Sequence, residues 1–234
     1  MNISHRARLW SCPLAGLFLV GVAGTQPVSA QPHVHQEARR PPREGYLIDA
    51  QRTTTPLDID GVLDEAAWEE ATIVDTFTQQ EPSNGQPATE RTEVRLLYDA
   101  ERLYVGVHAF DSEPGGVVAT EMRRDSARIL EEDNFQIILD TFRDSRSGYM
   151  FVTNPLGAKL EQQIFEEGGG NARGAASNIN RNWDGVWVAA ARRVDDGWIA
   201  EIAIPMVTVR SPAMDAQEWG LNFMRNIRRK NEQV

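Results

Sequence analysis

The 234-residue chain carries 34 acidic and 24 basic side chains, for a net charge of −10. A chain this acidic repels phosphate backbones and anionic lipid headgroups, so its charge argues against a nucleic-acid-binding or membrane-surface protein and favours neutral ligands or divalent cations. Because Cys12 is the single cysteine, an internal disulfide is excluded and a hydrophobic core must hold the fold.

The first thirty residues have the pattern of an export signal. A basic start at residues 5–8 is followed by an apolar run at 14–24 and by small residues at 28–30. The apolar run is too short and too Gly-rich for a good transmembrane helix, although an uncleaved anchor is the alternative. We predict cleavage after Ala30 and export to the periplasm, outer membrane or cell surface of a bacterium. Cleavage removes two basic residues and no acidic one, which leaves 22 against 34 and a net charge of −12.

Residues 31–45 are polar, contain prolines and show no apolar period, which predicts a flexible leader. Its two histidines, His33 and His35, are interpreted as solvated rather than metal-binding. The folded domain is predicted to span residues 46–234. Because the chain stops directly after a predicted strand, we expect this domain to be truncated at its C-terminal end and to be the front part of a longer protein.

The remaining residues predict many strands and little helix. Alternation of apolar and polar side chains indicates strands, and Gly- and Asp-containing turns separate them. The predicted elements are a helix at 64–72 with Asp64 as its N-cap, a hairpin at 92–111, strands at 134–142 and 149–154, a hairpin at 186–205, a helical turn at 206–210 and a strand at 219–229. Such a succession predicts an all-β fold, a two-sheet antiparallel β-sandwich of jelly-roll-like form.

No motif indicates hydrolysis. The sequence has neither GxSxG nor HExxH, and His108, the one histidine of the predicted domain, is interpreted as a packing or surface residue. Acids at residues 131–133 and Asp140 flank one predicted strand, but nothing marks them as an acid and a base. The chain is therefore predicted to be non-catalytic, with part of a glycoside hydrolase as an alternative.

The stretch DIDGVLDEAAW, residues 58–68, allows two interpretations. Asp58 and Asp60 place alternate carboxylates before a glycine and Asp64 follows one turn later, which suits a structural calcium site built from oxygen ligands. The alternative is an Asp60-Gly61 turn followed by a helix that Asp64 caps.

Sugar rings stack on flat aromatic faces with polar groups at the rim. Trp183 lies beside Asn182 at the edge of the long small-residue loop 166–182, so it is the best candidate for a solvent-facing platform, with core packing as the alternative. Trp187 and Trp198 lie in opposite arms of one predicted hairpin and are assigned to the core.

Taken in order, the segments resemble a family 9 carbohydrate-binding module over residues 47–234. The resemblance is carried by PLDIDGVLDEAAWEEA, TEVRLLYDAERLYVGVHAFD, EEDNFQIILDTFRDSRSGYMFVTNPLGAKLEQQ, NWDGVWVAAARRVDDGWIAEIAIP and WGLNFMRNIRRKNE. They are most similar to the amino-terminal module of large bacterial outer-membrane proteins, where it precedes a C-terminal β-barrel region of unknown function. The best-matching positions are Asp60-Gly61, Trp68, Asp99, Tyr104, Asp133, Asp140, Asn154, Gly157, Trp187, Trp198, Glu201 and Pro205.

The resemblance implies a β-sandwich that binds xylan or related glycans, holds structural calcium and is associated with polysaccharide catabolism. In sugar-binding members a Trp stands where this chain has Leu130 and a Glu stands where it has Gln136, and a second stacking Trp falls beyond Val234. We therefore expect a secreted polysaccharide-binding module with Leu130, Gln136, Asn182 and Trp183 at its site. The alternative is a ligand-free structural or regulatory domain in front of an outer-membrane barrel.

Overall fold

Two β-sheets packed face to face make up most of the computed structural model, which describes residues 2–5, 47–144, 146–165, 179–212 and 218–234. The predicted two-sheet β-sandwich is confirmed. In chain order the strands are β1 (Asn2–His5), β2 (Leu47–Asp49), β3 (Gln51–Arg52), β4 (Ile73–Val74), β5 (Thr92–Tyr98), β6 (Arg102–Phe110), β7 (Asn134–Asp140), β8 (Ser147–Thr153), β9 (Lys159–Phe165), β10 (Ile179–Asn180), β11 (Val188–Val194), β12 (Gly197–Pro205), β13 (Glu218–Ile227) and β14 (Glu232–Gln233).

The eight-stranded sheet has the order β10-β9-β8-β7-β13-β1-β2, and β14 pairs with β13. The six-stranded sheet has the order β11-β12-β6-β5-β3, and β4 pairs with β5. Neighbouring strands are antiparallel except for β1 beside β13 and β3 beside β5, which are parallel. The predicted export signal contributes β1, while residues 6–46, which include the rest of that signal and the predicted leader, lie outside the described residues.

The core lies between the sheets because inward positions alternate with outward ones along each strand. On β6 the side chains of Leu103, Val105 and Val107 are fully buried in the main core. Tyr104, by contrast, belongs to a second apolar cluster on the outward face of the six-stranded sheet, together with Trp68. The hairpin predicted at 92–111 is thus present as β5 and β6.

Short helices are confined to the connections. The one α-helix, α1 (Ala66–Glu70), and the 3-10 turns Pro114–Gly116, Ala127–Glu131, Met206–Thr208 and Arg228–Lys230 are the helical elements of the described residues. The predicted helix at 64–72 was too long, and Asp64 is not its N-cap. Glu65 holds that position and makes no side-chain capping hydrogen bond, so burial of Trp68 rather than a cap stabilises this turn. None of the described helices combines the length and apolarity needed to cross a bilayer.

Most predicted strands are present, with shifted ends. The strand predicted at 134–142 ends at Asp140, and the one predicted at 219–229 ends at Ile227, where a 3-10 turn leads into β14. Sequence periodicity missed β9, because its inward position beside Phe151 is occupied by Glu161 rather than by an apolar residue. The buried Glu161 accepts hydrogen bonds from Arg124 and from the indole of Trp187.

Buried charges tie β13 to the six-stranded sheet at one end of the sandwich. Arg225 is fully buried and donates to the carbonyl oxygens of Arg91 (3.0 Å) and Phe110 (2.7 Å). Burial lowers the pKa of Arg225 to about 10, although the carboxylate of Asp111 opposes that shift. Arg229 also contacts Asp111 at 2.6 Å, so this charged cluster locks the last strands in place.

Candidate functional site

The outward face of the eight-stranded sheet carries a mixed surface of amide and apolar side chains. On β7, Phe135, Ile137 and Leu139 belong to the main core, so the alternating residues Gln136 and Ile138 face away from it. Ile138 accordingly packs in a separate apolar cluster.

Strand register places further side chains beside these two. Directly paired residues on neighbouring strands point to the same face, so two rows cross the sheet. In the strand order β9, β8, β7 and β13, the first row is Leu160, Val152, Gln136 and Met224, and the second is Gln162, Met150, Ile138 and Asn222. We call these eight residues the amide face.

A short chain of hydrogen bonds orients Gln136, which is only 5% exposed. Its Nε2 donates to Oδ1 of Asn134 at 2.9 Å, and Nδ2 of Asn134 donates to the carbonyl oxygens of Ile129 and Glu132, each at 2.9 Å. No hydrogen bond within the described part of the chain uses Oε1 of Gln136. The arrangement therefore holds the amide in one orientation and leaves its oxygen, a hydrogen-bond acceptor, without a partner among the described residues.

Leu130 lies on the same side of the sheet as Gln136. It belongs to the 3-10 turn Ala127–Glu131, which contacts β8 and β9, and it packs against the cluster that contains Met150 and Val152. The structure therefore brings these two predicted site residues to one face. An aliphatic side chain stands where an aromatic stacking surface would be needed.

Trp183 and Asn182 lie elsewhere. Trp183 is half-buried and contacts the inward-facing rings of Tyr149 and Phe151, with ring centroids 4.9 and 5.8 Å apart. A Cβ atom at Gly185 would lie 2.8 Å from the same indole, so its other side is also closely approached. Trp183 thus packs against the core, as the alternative interpretation has it, and does not form an open platform. The exposed Asn182 lies outside the amide face that contains Gln136. Trp187 and Trp198 are buried, as predicted.

The acids near β7 hold the segment that precedes it. Glu132 accepts hydrogen bonds from the backbone and hydroxyl of Thr120 and from the backbone of Glu121. The fully buried Asp133 accepts from the amide of Val118 at 2.8 Å, and burial raises its pKa. Since these carboxylates already serve as structural acceptors, they are not arranged as a free acid–base pair. His108 is mostly buried and contacts Asp196 at 3.0 Å, which fits a packing role.

The predicted calcium ligands do not converge. Asp58, Asp60 and Asp64 are exposed, and Oδ1 of Asp60 accepts a 2.9 Å hydrogen bond from the amide of Val62. The guanidinium of Arg192 donates to the carbonyl oxygen of Asp60 at 3.1 Å, so a cation already lies at this turn. Calcium takes roughly six to eight oxygens, and no three acidic or histidine side chains are grouped to hold a metal anywhere in the described ranges. Asp58, Asp60 and Asp64 therefore do not form the ligand set that calcium requires. Calcium binding by this protein stays a prediction.

Of the eight amide-face residues, only Gln136 was in the sequence-based site, and the seven absent from it include Gln162, Met224 and Asn222. A signal for two of them was present, since the apolar alternation of Leu221 and Phe223 on β13 places Asn222 and Met224 on the opposite face. Gln162 had no such signal, because β9 itself was missed.

A family profile described as "Carbohydrate family 9 binding domain-like" matches residues 59–233. Two similar structures are a family 9 carbohydrate-binding module from Caldicellulosiruptor kristjanssonii in complex with glucose (17% identity, TM-score 0.51, covering 76% of each chain) and one from the same organism in complex with cellotriose (17%, 0.52, 79% of this chain and 80% of that one). A third is a putative carbohydrate-binding protein from Bacteroides uniformis (11%, 0.55, 78% and 85%). No curated protein matches the chain in sequence.

Proposed function

The chain belongs to the carbohydrate family 9 binding domain-like family, and we propose that it is a carbohydrate-binding module whose glycan lies across the amide face. The observation that carries this proposal is Gln136, an oriented amide whose Oε1 has no partner among the described residues, set between the buried Val152 and the partly exposed Met224 on the outward face of the sheet. Support also comes from the sandwich fold, which the chain shares with modules in complex with glucose and cellotriose.

The chemistry of the amide face suits a neutral sugar. Amide groups donate and accept hydrogen bonds, as sugar hydroxyls do, while methionine and aliphatic side chains pack against the C–H face of a ring. With a net charge of −10, the chain attracts no anionic glycan through long-range electrostatics. We therefore propose a neutral polysaccharide, such as xylan or a β-linked glucan, as the ligand class.

Binding on this face is weak. Aromatic side chains supply large contact areas in sugar sites, and Leu130 replaces the Trp of the sugar-binding modules that the sequence resembles. With hydrogen bonds from a few amides and no stacking, the dissociation constant for a short oligosaccharide is on the order of 1 mM. Export from the cell, proposed from the signal-like first thirty residues, would place the module where extracellular polysaccharide is found.

Affinity electrophoresis on gels containing xylan, glucan or mannan tests the proposal. The folded wild-type protein should be retarded on at least one gel, and Gln136→Ala should reduce that retardation. Gln80→Ala is the matched control, because Gln80 is exposed and lies outside the amide face. Equal migration of the folded wild type on all three gels and on a gel without polysaccharide would refute glycan binding.

A further inference from the structure

A cleft of about 330 Å³ lies on the outward face of the six-stranded sheet, on the opposite side of the sandwich from the amide face. Its floor is Leu97, which belongs to the apolar cluster under α1, whereas its neighbour Leu96 points into the main core. One wall is the segment 51–55, and the other is formed by Ala66, Ala67 and Glu70 of α1. None of the lining residues belongs to the amide face.

The two walls differ in chemistry. Leu97, Ala66 and Ala67 give an apolar floor and side, while segment 51–55 supplies an amide, a guanidinium and three threonines. The Thr53 hydroxyl donates to the carbonyl oxygen of Thr55 and accepts from its amide, both at 3.1 Å. This local bond fixes the bend of the polar wall. A cleft with one apolar and one hydrogen-bonding side matches a sugar ring, which has a C–H face and a rim of hydroxyls.

Two side chains of opposite charge line the cleft. Arg52 and Glu70 line it from opposite walls; both are exposed, and neither side chain makes a hydrogen bond or ion pair with another described residue. An unpaired guanidinium donates and an unpaired carboxylate accepts, and vicinal hydroxyls of one ring do both. Glu70 would repel an anionic ligand and Arg52 would repel a cationic one, so a neutral polyhydroxyl ligand fits best.

We propose that this cleft is a second saccharide site, which holds one neutral sugar ring between Arg52 and Glu70. That the ligand of this site is a saccharide rests on the proposed function, whereas the position of the site is argued from the residues that line the cleft. Two sites on opposite faces of one sandwich bind separate chains, or separate parts of a folded chain, of the same polysaccharide. Two weak sites then give a polymer a higher apparent affinity than either gives alone.

Backbone amide NMR spectra of the full chain, recorded during titration with glucose, test the proposal. Saturable shifts should appear at residues 51–55, at 66–70 and at Leu97. Arg52→Ala and Glu70→Gln should each weaken the affinity read at these amides by at least about tenfold, the effect of one lost hydrogen bond to a charged group. Glu69→Gln changes an exposed acid of the same helix outside the cleft, and it should have no effect.

Absence of saturable shifts at these amides, or shifts that persist unchanged in both Arg52→Ala and Glu70→Gln, would overturn the second site. Tighter binding of glucuronate than of glucose would overturn the neutral ligand class. Gln136→Ala should leave the cleft shifts unchanged and remove those around β7. Absence of binding at the amide face and absence of binding at the cleft are therefore distinguished in one titration, because each is measured by the backbone NMR signals of different residues.

Discussion

The indole Nε1 of Trp68 donates a 3.0 Å hydrogen bond to Oε1 of Glu201, a residue 133 positions further along the chain. The second oxygen of the same carboxylate accepts from the backbone amides of Asp60 (2.9 Å) and Gly61 (2.8 Å). Glu201 is fully buried, and burial raises its pKa despite these three donors. One carboxylate on β12 therefore ties the Asp60-Gly61 turn and Trp68 of α1 together at this corner.

Replacing Glu201 should destabilise the fold strongly. Glu201→Ala leaves three buried donors without an acceptor, so the free energy of unfolding should fall by about 3 kcal/mol or more. Glu201→Gln keeps an acceptor oxygen and should cost less. Urea denaturation of the two variants measures the difference, and a loss below about 1 kcal/mol for Glu201→Ala would show that the corner is held by packing alone.

Gly61 is required by its backbone and by its surroundings. Its φ is +88°, and a Cβ atom there would lie 3.2 Å from the backbone of Ala191. Gly85 is the matched control, because its φ is +81° but no atom lies near its Cβ position. Gly85→Ala should lower the free energy of unfolding by about 1 kcal/mol and Gly61→Ala by about 2–3 kcal/mol, since only the latter also displaces β11. Equal losses in thermal or urea denaturation would argue against the contact with β11.

Glu90 makes stability depend on pH. Burial alone would raise its pKa, but hydrogen bonds from Lys230 and Ser112 lower it from 4.5 to about 2. A folded-state pKa below the unfolded one means that the contribution of Glu90, on the order of 2–3 kcal/mol, is present above pH 4.5 and lost as the pH falls towards 2.

Urea denaturation between pH 6 and pH 2.5 measures this dependence. Glu90→Gln should be less stable than the wild type at pH 6, and the difference should shrink as the pH falls. A difference that stays constant with pH would contradict the assignment to Glu90.

Leu130→Trp should strengthen glycan binding. The change puts an aromatic surface beside Gln136, and stacking on a sugar ring should lower the dissociation constant for cellotriose by about tenfold. Isothermal titration calorimetry measures the change. Val207→Trp is the control for a new exposed aromatic ring, because Val207 is 93% exposed and lies away from the amide face. The same gain in both variants would mean nonspecific contact with the sugar.

Calcium should not act through Asp58 and Asp64. Because Arg192 lies against the Asp60 turn and the three carboxylates do not converge, Asp58→Asn combined with Asp64→Asn should leave any effect of calcium on the melting temperature unchanged. The measurement compares wild type and variant with calcium and with EDTA. A fall of several degrees in EDTA that appears only in the wild type would restore the calcium hypothesis.

Much of the fold follows from local patterns. The β5–β6 hairpin was predictable because apolar side chains alternate along both arms, and the β11–β12 hairpin because a short Asp-Asp-Gly turn joins two such runs. The ordered segments also identified the family correctly. Helix α1 was predicted in the right place but with the wrong cap, since its stability comes from burial of Trp68 by distant residues and not from its own first turn.

The site was less predictable. Gln136 and Leu130 were singled out by their positions in the resemblance, and the structure places both on one face. Trp183 was the strongest aromatic candidate by its loop context, yet it packs against Tyr149 and Phe151. Local sequence shows that a tryptophan adjoins a loop, but only the folded chain shows which surface its ring contacts.

The sequence by itself determined the all-β architecture, the alternation of inward and outward side chains and the acidic charge, because these depend on residues close together in the chain. Only the tertiary structure decided which amides share a row, which carboxylate orders the Asp-Gly corner and which cleft Arg52 and Glu70 line. These relationships join residues that are far apart in sequence. Strand register and sheet order bring them together, and no local pattern of side chains specifies either.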